Sequence, residues 1–273
     1  MLNNDEKIMY LEKGFVAPIN IFSLKEITQI QEELDFIETQ WPEEITGQGR
    51  NNTHLVLTLI DSIAHNNKIL DAVESIIGEN ILITGSTLFI KEPETRGFVS
   101  WHQDAKYIGL EPHNWVTAWL AITDATKENG CMQMVPSSHD KPLVHHVDTY
   151  GKDNLLTRGQ TIENISSKDS VYVELKAGQL SLHHPRIIHG SGPNLSNRRR
   201  IGLAIQSYIG TDVKQRFGKI WVQKARGVDD YKYHSYAKRP KKNMVKKDVM
   251  FRKNVNLKLS EIFYANAKKK GKY

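Results

Sequence analysis

Two histidines and one aspartate carry the clearest chemistry in this sequence. His102-Gln103-Asp104 sets an imidazole and a carboxylate two positions apart, and His189 follows 87 residues after His102. On an extended strand, residues i and i+2 share a face, so His102 and Asp104 are expected to point one way while Gln103 points the other. Two neutral imidazoles and a carboxylate can occupy one face of an octahedral Fe(II), leaving the opposite face open for a co-substrate and oxygen. The bare tripeptide is common, and alone it reads equally as the polar face of a surface strand. His183-His184 also competes with His189 for the place of the distant ligand.

The residues after His189 narrow the choice. Gly190-Ser191-Gly192-Pro193-Asn194 is a turn-rich segment that leads through Arg198-Arg199-Arg200 into an apolar strand, Ile201 to Tyr208. An arginine entering that strand can face the metal cavity, where its planar fork suits a carboxylate through two parallel hydrogen bonds. A dicarboxylate that chelates iron at one end and meets arginine at the other is 2-oxoglutarate.

Four stretches in order carry a family resemblance: Trp101-His102-Gln103-Asp104, Val116 to Asp124, Glu128 to Met132 with Val135-Pro136-Ser137-Ser138-His139, and His189 to Arg200. In these the chain resembles the phytanoyl-CoA dioxygenase family of Fe(II)/2-oxoglutarate oxygenases, with weaker similarity from about Tyr10 to Gly227. The resemblance implies Fe(II) held by His102, Asp104 and His189, with 2-oxoglutarate and O2 as co-substrates. It implies that the arginine eleven positions after the distal histidine, Arg200, binds 2-oxoglutarate, helped by Ser191, and that Trp119 lines that pocket. A one-residue slip would move the role to Arg199, on the other face of the strand. Related halogenases carry Ala or Gly where this chain has Asp104, so hydroxylation rather than halogenation is expected.

Substrate residues are less sharply marked. Strand parity would put Lys106 on the ligand face, where its ammonium can pair with an anion. Tyr107, Asn114, His183, His184 and Arg186 are further candidates. Bacterial members of the family that hydroxylate the carbon next to phosphorus in small organophosphonates show a similar His-Gln-Asp-Ala-Lys run. The expected substrate is therefore a small anionic molecule, a phosphonate first, with natural-product, amino-acid-like or acyl substrates as the alternative. His139 closes the shared Pro-Ser-Ser-His turn and reads as structural.

These residues need elements to hold them. Ser23-Leu24-Lys25-Glu26 is a capping box, and Ile27, Ile30, Leu34 and Ile37 recur at helical spacing, which predicts an amphipathic helix over 23–40. A second helix is expected from Asn67 to Ile77, stopped by Gly78. Strands are expected over Ile81–Lys91, Trp101–Tyr107, Trp115–Thr123, Met132–Val135, Val171–Leu175, Gln179–His183 and Ile201–Tyr208. Many short strands behind N-terminal helices predict a mainly β fold with flanking helices, a double-stranded β-helix or cupin-like jelly roll. The polar segment Gly151 to Asn164 reads as a loop over the site.

Composition sets the outer bounds. With 273 residues, 39% hydrophobic and 25% charged, the chain suits a globular enzyme. It has no apolar run long enough to span a membrane, and Met1 to Glu6 has neither a basic nor an apolar leader region, so cytoplasmic residence is expected. The lone Cys131 cannot form an intrachain disulfide and fits a reducing compartment in a packing role. The net charge of +6 is uneven: from Lys238 onward 13 Lys and Arg face two acids, so that segment carries +11 and the rest −5. The sequence therefore divides into one oxygenase domain with N-terminal helices, 1–236, and a basic C-terminal extension, 237–273. The extension has little aromatic interleaving, which argues against nucleic acid and for a solvated end. A catalytically silent metal- or 2-oxoglutarate-binding protein, its basic tail on nucleic acid or membrane, is the non-enzyme alternative.

Overall fold

The computed structural model describes residues 1–265 and Ala267. Eleven main strands form two antiparallel sheets: β1 Phe15–Asn20, β2 Ile81–Ile83, β3 Ser86–Lys91, β4 Val99–His102, β5 Trp115–Ala121, β6 Met132–Val135, β7 Val171–Val173, β8 Gln179–His183, β9 Ile188–Ser191, β10 Arg200–Gly210 and β11 Trp221–Arg226. The larger sheet runs β1-β8-β5-β10-β2-β11, with β3 also paired to β10, and the smaller runs β7-β6-β9-β4. Together they make the expected double-stranded β-helix.

Parity along the strands sorts the side chains. On β5, Val116, Ala118 and Leu120 face a core shared with the helices, while Trp119 and Ala121 face a second core between the sheets. On β10, Ile201, Leu203 and Ile205 take the helical side and Ala204 the inner side. Both strands are therefore buried on both faces and read as nearly continuous apolar runs.

The helices cover the outer face. Helix α1 spans Asn4–Lys13 and α2 spans Leu24–Gln40, where Ser23 and Glu26 form the expected capping box. Ile27, Ile30, Leu34 and Ile37 are the buried stripe of α2, each contributing about 2 kcal/mol through burial. Helices α3, Thr58–Ala64, and α4, Asn67–Ile77, follow. Helix α4 ends at Gly78, whose φ of 87° favours glycine.

Three local departures have physical causes. The predicted strand over 81–91 is interrupted at Thr84-Gly85, so β2 and β3 pair with successive parts of β10. Strand β1, not expected from the sequence, lies at a sheet edge and slips register between Val16 and Ile19, so its Pro18 costs no ladder hydrogen bond. The predicted strand over 101–107 stops at His102. Asp104 has helical dihedrals of −56° and −41°, and Ala105–Ile108 forms a single helical turn, α5, ended by left-handed Gly109.

The basic segment after residue 236 packs onto the same core. Its helix α6, Lys246–Phe263, buries Arg252, Val255 and Ile262. The Arg252 guanidinium donates to the Glu44 carboxylate and to the carbonyls of Glu44 and Gly49. Lys268-Lys269-Lys270 lie outside the described residues. Because Arg252 is 1% exposed and serves three acceptors, Arg252→Ala should lower the unfolding free energy by about 2–4 kcal/mol. Urea denaturation checks this; a loss under about 0.5 kcal/mol, the size of an ordinary surface substitution, would show that α6 is not anchored there.

Candidate functional site

Strand pairing brings the two distant histidines together. His189 on β9 is the Cα partner of His102 on β4, and their ring centroids lie 4.1 Å apart. His102 Nδ1 lies 2.9 Å from the carbonyl of Ser100, and His189 Nδ1 lies 3.1 Å from that of Ile187. A carbonyl can only accept, so each Nδ1 carries the proton and each Nε2 presents a lone pair. Asp104 Oδ1 completes the group, 3.3 Å from His102 Nε2 and 3.9 Å from His189 Nε2. Three donors on one face of an octahedral ion, with bonds of about 2.1 Å, stand about 3 Å apart. Among the described residues this is the group of His, Cys, Asp and Glu side chains able to share an ion.

Electrostatics suit the donors to a metal. Burial pulls His189 well below the usual imidazole range, which keeps it neutral. Gln103 is fully buried and points away. Its side chain donates to the Arg186 carbonyl and accepts from Val144 N–H, while its backbone N–H donates to His146 Nε2 at 3.0 Å. Those three bonds replace the missing strand ladder and let the chain turn, so a helical Asp104 still reaches the histidines.

A second buried feature lies beside the first. Arg200 opens β10, is 2% exposed and sits over the Trp119 ring at 5.3 Å, its Nε without a hydrogen-bond partner. Lys91 is its cross-strand partner, equally buried, and donates to Ser191 Oγ at 2.8 Å and to the carbonyls of Gly130 and Gly192. No carboxylate pairs with either cation among the described residues. Arg199 faces the other way, bound to Glu38 of α2 at 2.6 Å and to Glu92 at 3.0 Å. Gly202 makes room for Trp119: a Cβ there would meet its ring at 1.9 Å. A buried arginine with no acid against it, beside a lysine amine and a hydroxyl, can take a carboxylate. Lys91 was missed from sequence, because only the β3–β10 register sets it beside Arg200.

Comparison with known proteins decides the family. The family model for phytanoyl-CoA dioxygenase (PhyH) matches residues 10–202. The chain belongs to the phytanoyl-CoA dioxygenase family. It is accordingly a 2-oxoglutarate-dependent non-haem iron dioxygenase, with Fe(II) and 2-oxoglutarate as its cofactor and co-substrate. Among its relatives in the family, a "Probable alpha-ketoglutarate-dependent hypophosphite dioxygenase" of Stutzerimonas stutzeri is 29% identical over 215 residues, 72% of this chain and 75% of that protein. A phytanoyl-CoA dioxygenase of Arabidopsis thaliana is 28% identical over 173 residues, 63% of this chain and 60% of that protein. The solved structure of the non-heme monooxygenase ThoJ, in its apo form, is similar with a TM-score of 0.82 at 29% identity, over 93% of this chain and 97% of that one.

The candidate substrate residues of this family member scatter. His183 joins the triad: it is 1% exposed, its ring centroid is 4.7 Å from that of His189, and its Nε2 is 3.6 Å from Asp104 Oδ2. Lys106 does not share the ligand face, since α5 breaks the strand parity that would have put it there. It is exposed and lines a cleft of about 840 Å³ on the outer side of α5, with Tyr107, His145, His146, Arg158, Arg216, Phe217 and Phe263. Tyr107 stacks against Arg158 at 5.2 Å, and Arg158 in turn binds Asp148 and the Phe263 carbonyl. Asn114 turns to Asp212, at 2.9 Å. Arg186 is half-buried, and its backbone carbonyl holds Gln103. His139 is structural, with Nε2 3.1 Å from the Leu11 carbonyl. Cys131 is packed in the inner core, where burial pushes its thiol up to about 12 and leaves it inert.

Burial pulls Lys91 down to about 6, whereas burial leaves Arg200, at about 10, charged at neutral pH. The unfolded chain therefore binds a proton at Lys91 that the ligand-free fold sheds above pH 6. Unfolding free energy of the metal-free protein should climb with pH between about 6 and 10, on the order of 1 kcal/mol per pH unit. Lys91→Met should flatten that climb. Equal slopes in the two proteins, measured by urea titration across this range, would show that Lys91 stays charged in the fold.

Proposed function

We propose that His102, Asp104 and His189 hold the iron, and that Arg200, Lys91, Ser191 and Trp119 hold the far carboxylate of 2-oxoglutarate. The carrying observation is Arg200, buried on β10 with no acid against it and its Nε without a partner, while its neighbour Lys91 donates to Ser191 of β9, the strand that carries His189. His189 and Ser191 share a face of β9 and stand about 7 Å apart along it, a span suited to a five-carbon dicarboxylate. Iron with 2-oxoglutarate and oxygen supplies the oxidation of an unactivated C–H bond, giving hydroxylated product, succinate and carbon dioxide. The protein positions the reactants, and the dry inner core keeps bulk water from the carboxylate pocket.

The substrate we propose is a small anionic molecule, an organophosphonate hydroxylated beside phosphorus being the first candidate. Similarity to the hypophosphite dioxygenase supports a phosphorus oxyanion. So does Lys106, exposed in the cleft beside α5 two residues after Asp104, where Arg158 and Arg216 are paired with Asp148 and Glu111. A second reading has its own observation: Tyr107, Tyr150, Phe217 and Phe263 line the same cleft, whose volume exceeds the needs of a methyl- or aminoethylphosphonate. That favours a larger anion with a ring or chain, such as a natural product. A reducing compartment such as the cytoplasm suits the one buried thiol. Among the described residues, no helix is long and apolar enough to cross a membrane.

Succinate formation tests both levels. Iron-loaded protein given oxygen and 2-oxoglutarate should release succinate faster with its substrate, across phosphonates, hypophosphite, aromatic carboxylates, amino acids and acyl thioesters. Stimulation by a phosphonate supports the first candidate, and stimulation by aromatic carboxylates alone replaces it with the second. Arg200→Ala should weaken 2-oxoglutarate binding by about 2–5 kcal/mol while Arg199→Ala leaves it unchanged. The reverse result would place the carboxylate on the other face of β10.

A further inference from the structure

We infer that His183 is a positioning residue that holds the second oxygen of Asp104, so that this carboxylate offers a single oxygen to the metal. This inference rests on the ligand assignment proposed above. Asp104 Oδ1 faces His102 and His189, while Oδ2 faces Thr117 Oγ at 2.9 Å and His183 Nε2 at 3.6 Å. Thr117 and His183 are Cα partners across β5 and β8, so one register sets both toward the same oxygen.

Counting protons assigns the roles. Thr117 has one hydroxyl proton and two acceptors, Asp104 Oδ2 and the Gln206 carbonyl at 2.7 Å. The β5–β10 ladder shifts register between Ile205 and Tyr208, which takes Gln206 out of the paired positions. Its carbonyl is served by Thr117, and Oδ2 then needs another donor. His183 is that donor: it is 1% exposed, and neither ring nitrogen has a hydrogen-bond partner. A buried imidazole with nothing to bond is unfavourable, because it has lost its water and gained no partner. A rotation of the Asp104 carboxyl by a few tenths of an ångström at Oδ2 brings 3.6 Å into hydrogen-bond range.

The consequence concerns coordination number. Six positions surround an octahedral ion, three taken by the triad and two by a chelating 2-oxoglutarate. One remains for oxygen. A carboxylate bound through both oxygens would fill it. An imidazole on Oδ2 prevents this and fixes the direction of Oδ1, as partners of metal-binding side chains generally do.

Anaerobic metal titration tests the inference, with Mn(II) as an oxygen-stable probe followed by Fe(II) with 2-oxoglutarate. His183→Leu should weaken metal binding about 10- to 100-fold and alter the visible absorption of the Fe(II)–2-oxoglutarate chelate. His183→Gln, which keeps a donor, should recover most of both. Thermal unfolding of the metal-free variants controls for the fold. Affinity within about threefold of wild type in His183→Leu, or equal losses in Leu and Gln, would overturn the positioning role. Wild-type protein that binds neither metal would overturn the ligand assignment itself and this inference with it.

Discussion

The antiparallel pairing of Val99–His102 with Ile188–Ser191 is the constraint on which the site depends. It makes His102 and His189 direct partners, although 87 residues separate them. Each strand then adds its own local device, the carbonyl two residues upstream that fixes the ring tautomer. The metal-facing geometry is therefore mostly backbone geometry, with little left to side-chain freedom. Asp104 alone escapes the ladder, and the buried Gln103 side chain, with His146 behind it, supplies the bonds that the ladder would have made.

Charge is buried within the barrel without full compensation from the chain itself. The triad carries one anion, and Arg200 of β10 is buried with no acid against it. Each group on its own opposes folding, since burying charge without a partner costs several kcal/mol. The fold tolerates this because stability is drawn from elsewhere, chiefly the continuous apolar contact between the larger sheet and α2, α3 and α4. Inner and outer faces of the same strand differ: Ile201, Leu203 and Ile205 of β10 pack against the helices, while Arg200 on the opposite face lies over Trp119. A register slip of one residue would exchange these roles, which is why both faces of β10 need their present partners.

The C-terminal segment belongs to this scheme as well. Its positive charge looked like a solvated tail, yet Arg252 is buried and the end of α6 supplies Phe263 and Ile262 to the cleft beside α5. Charge composition describes a segment's average. A single inward arginine with three acceptors changes its role without changing that average.

The sequence by itself determined the family and singled out the three residues that the fold brings together. His-x-Asp, the turn after His189 and the Arg200 offset are local patterns, and local patterns survive in one dimension. The helices of residues 24–40 and 67–77 were equally legible, because caps and helical periodicity are written in consecutive residues. Arg200 and Arg199 face opposite ways, as strand parity expected, Arg200 opening β10 toward Trp119 and Arg199 turning to Glu38. Parity failed at Lys106, where the chain leaves the strand at His102 and turns under bonds from Val144, His146 and Arg186 that no neighbouring residue announces. Tertiary structure alone decided that Lys91 stands beside Arg200, that His183 joins Asp104, and that Asn114 faces Asp212. Each of those contacts is set by the register between strands distant in sequence, and register is a property of the folded sheet.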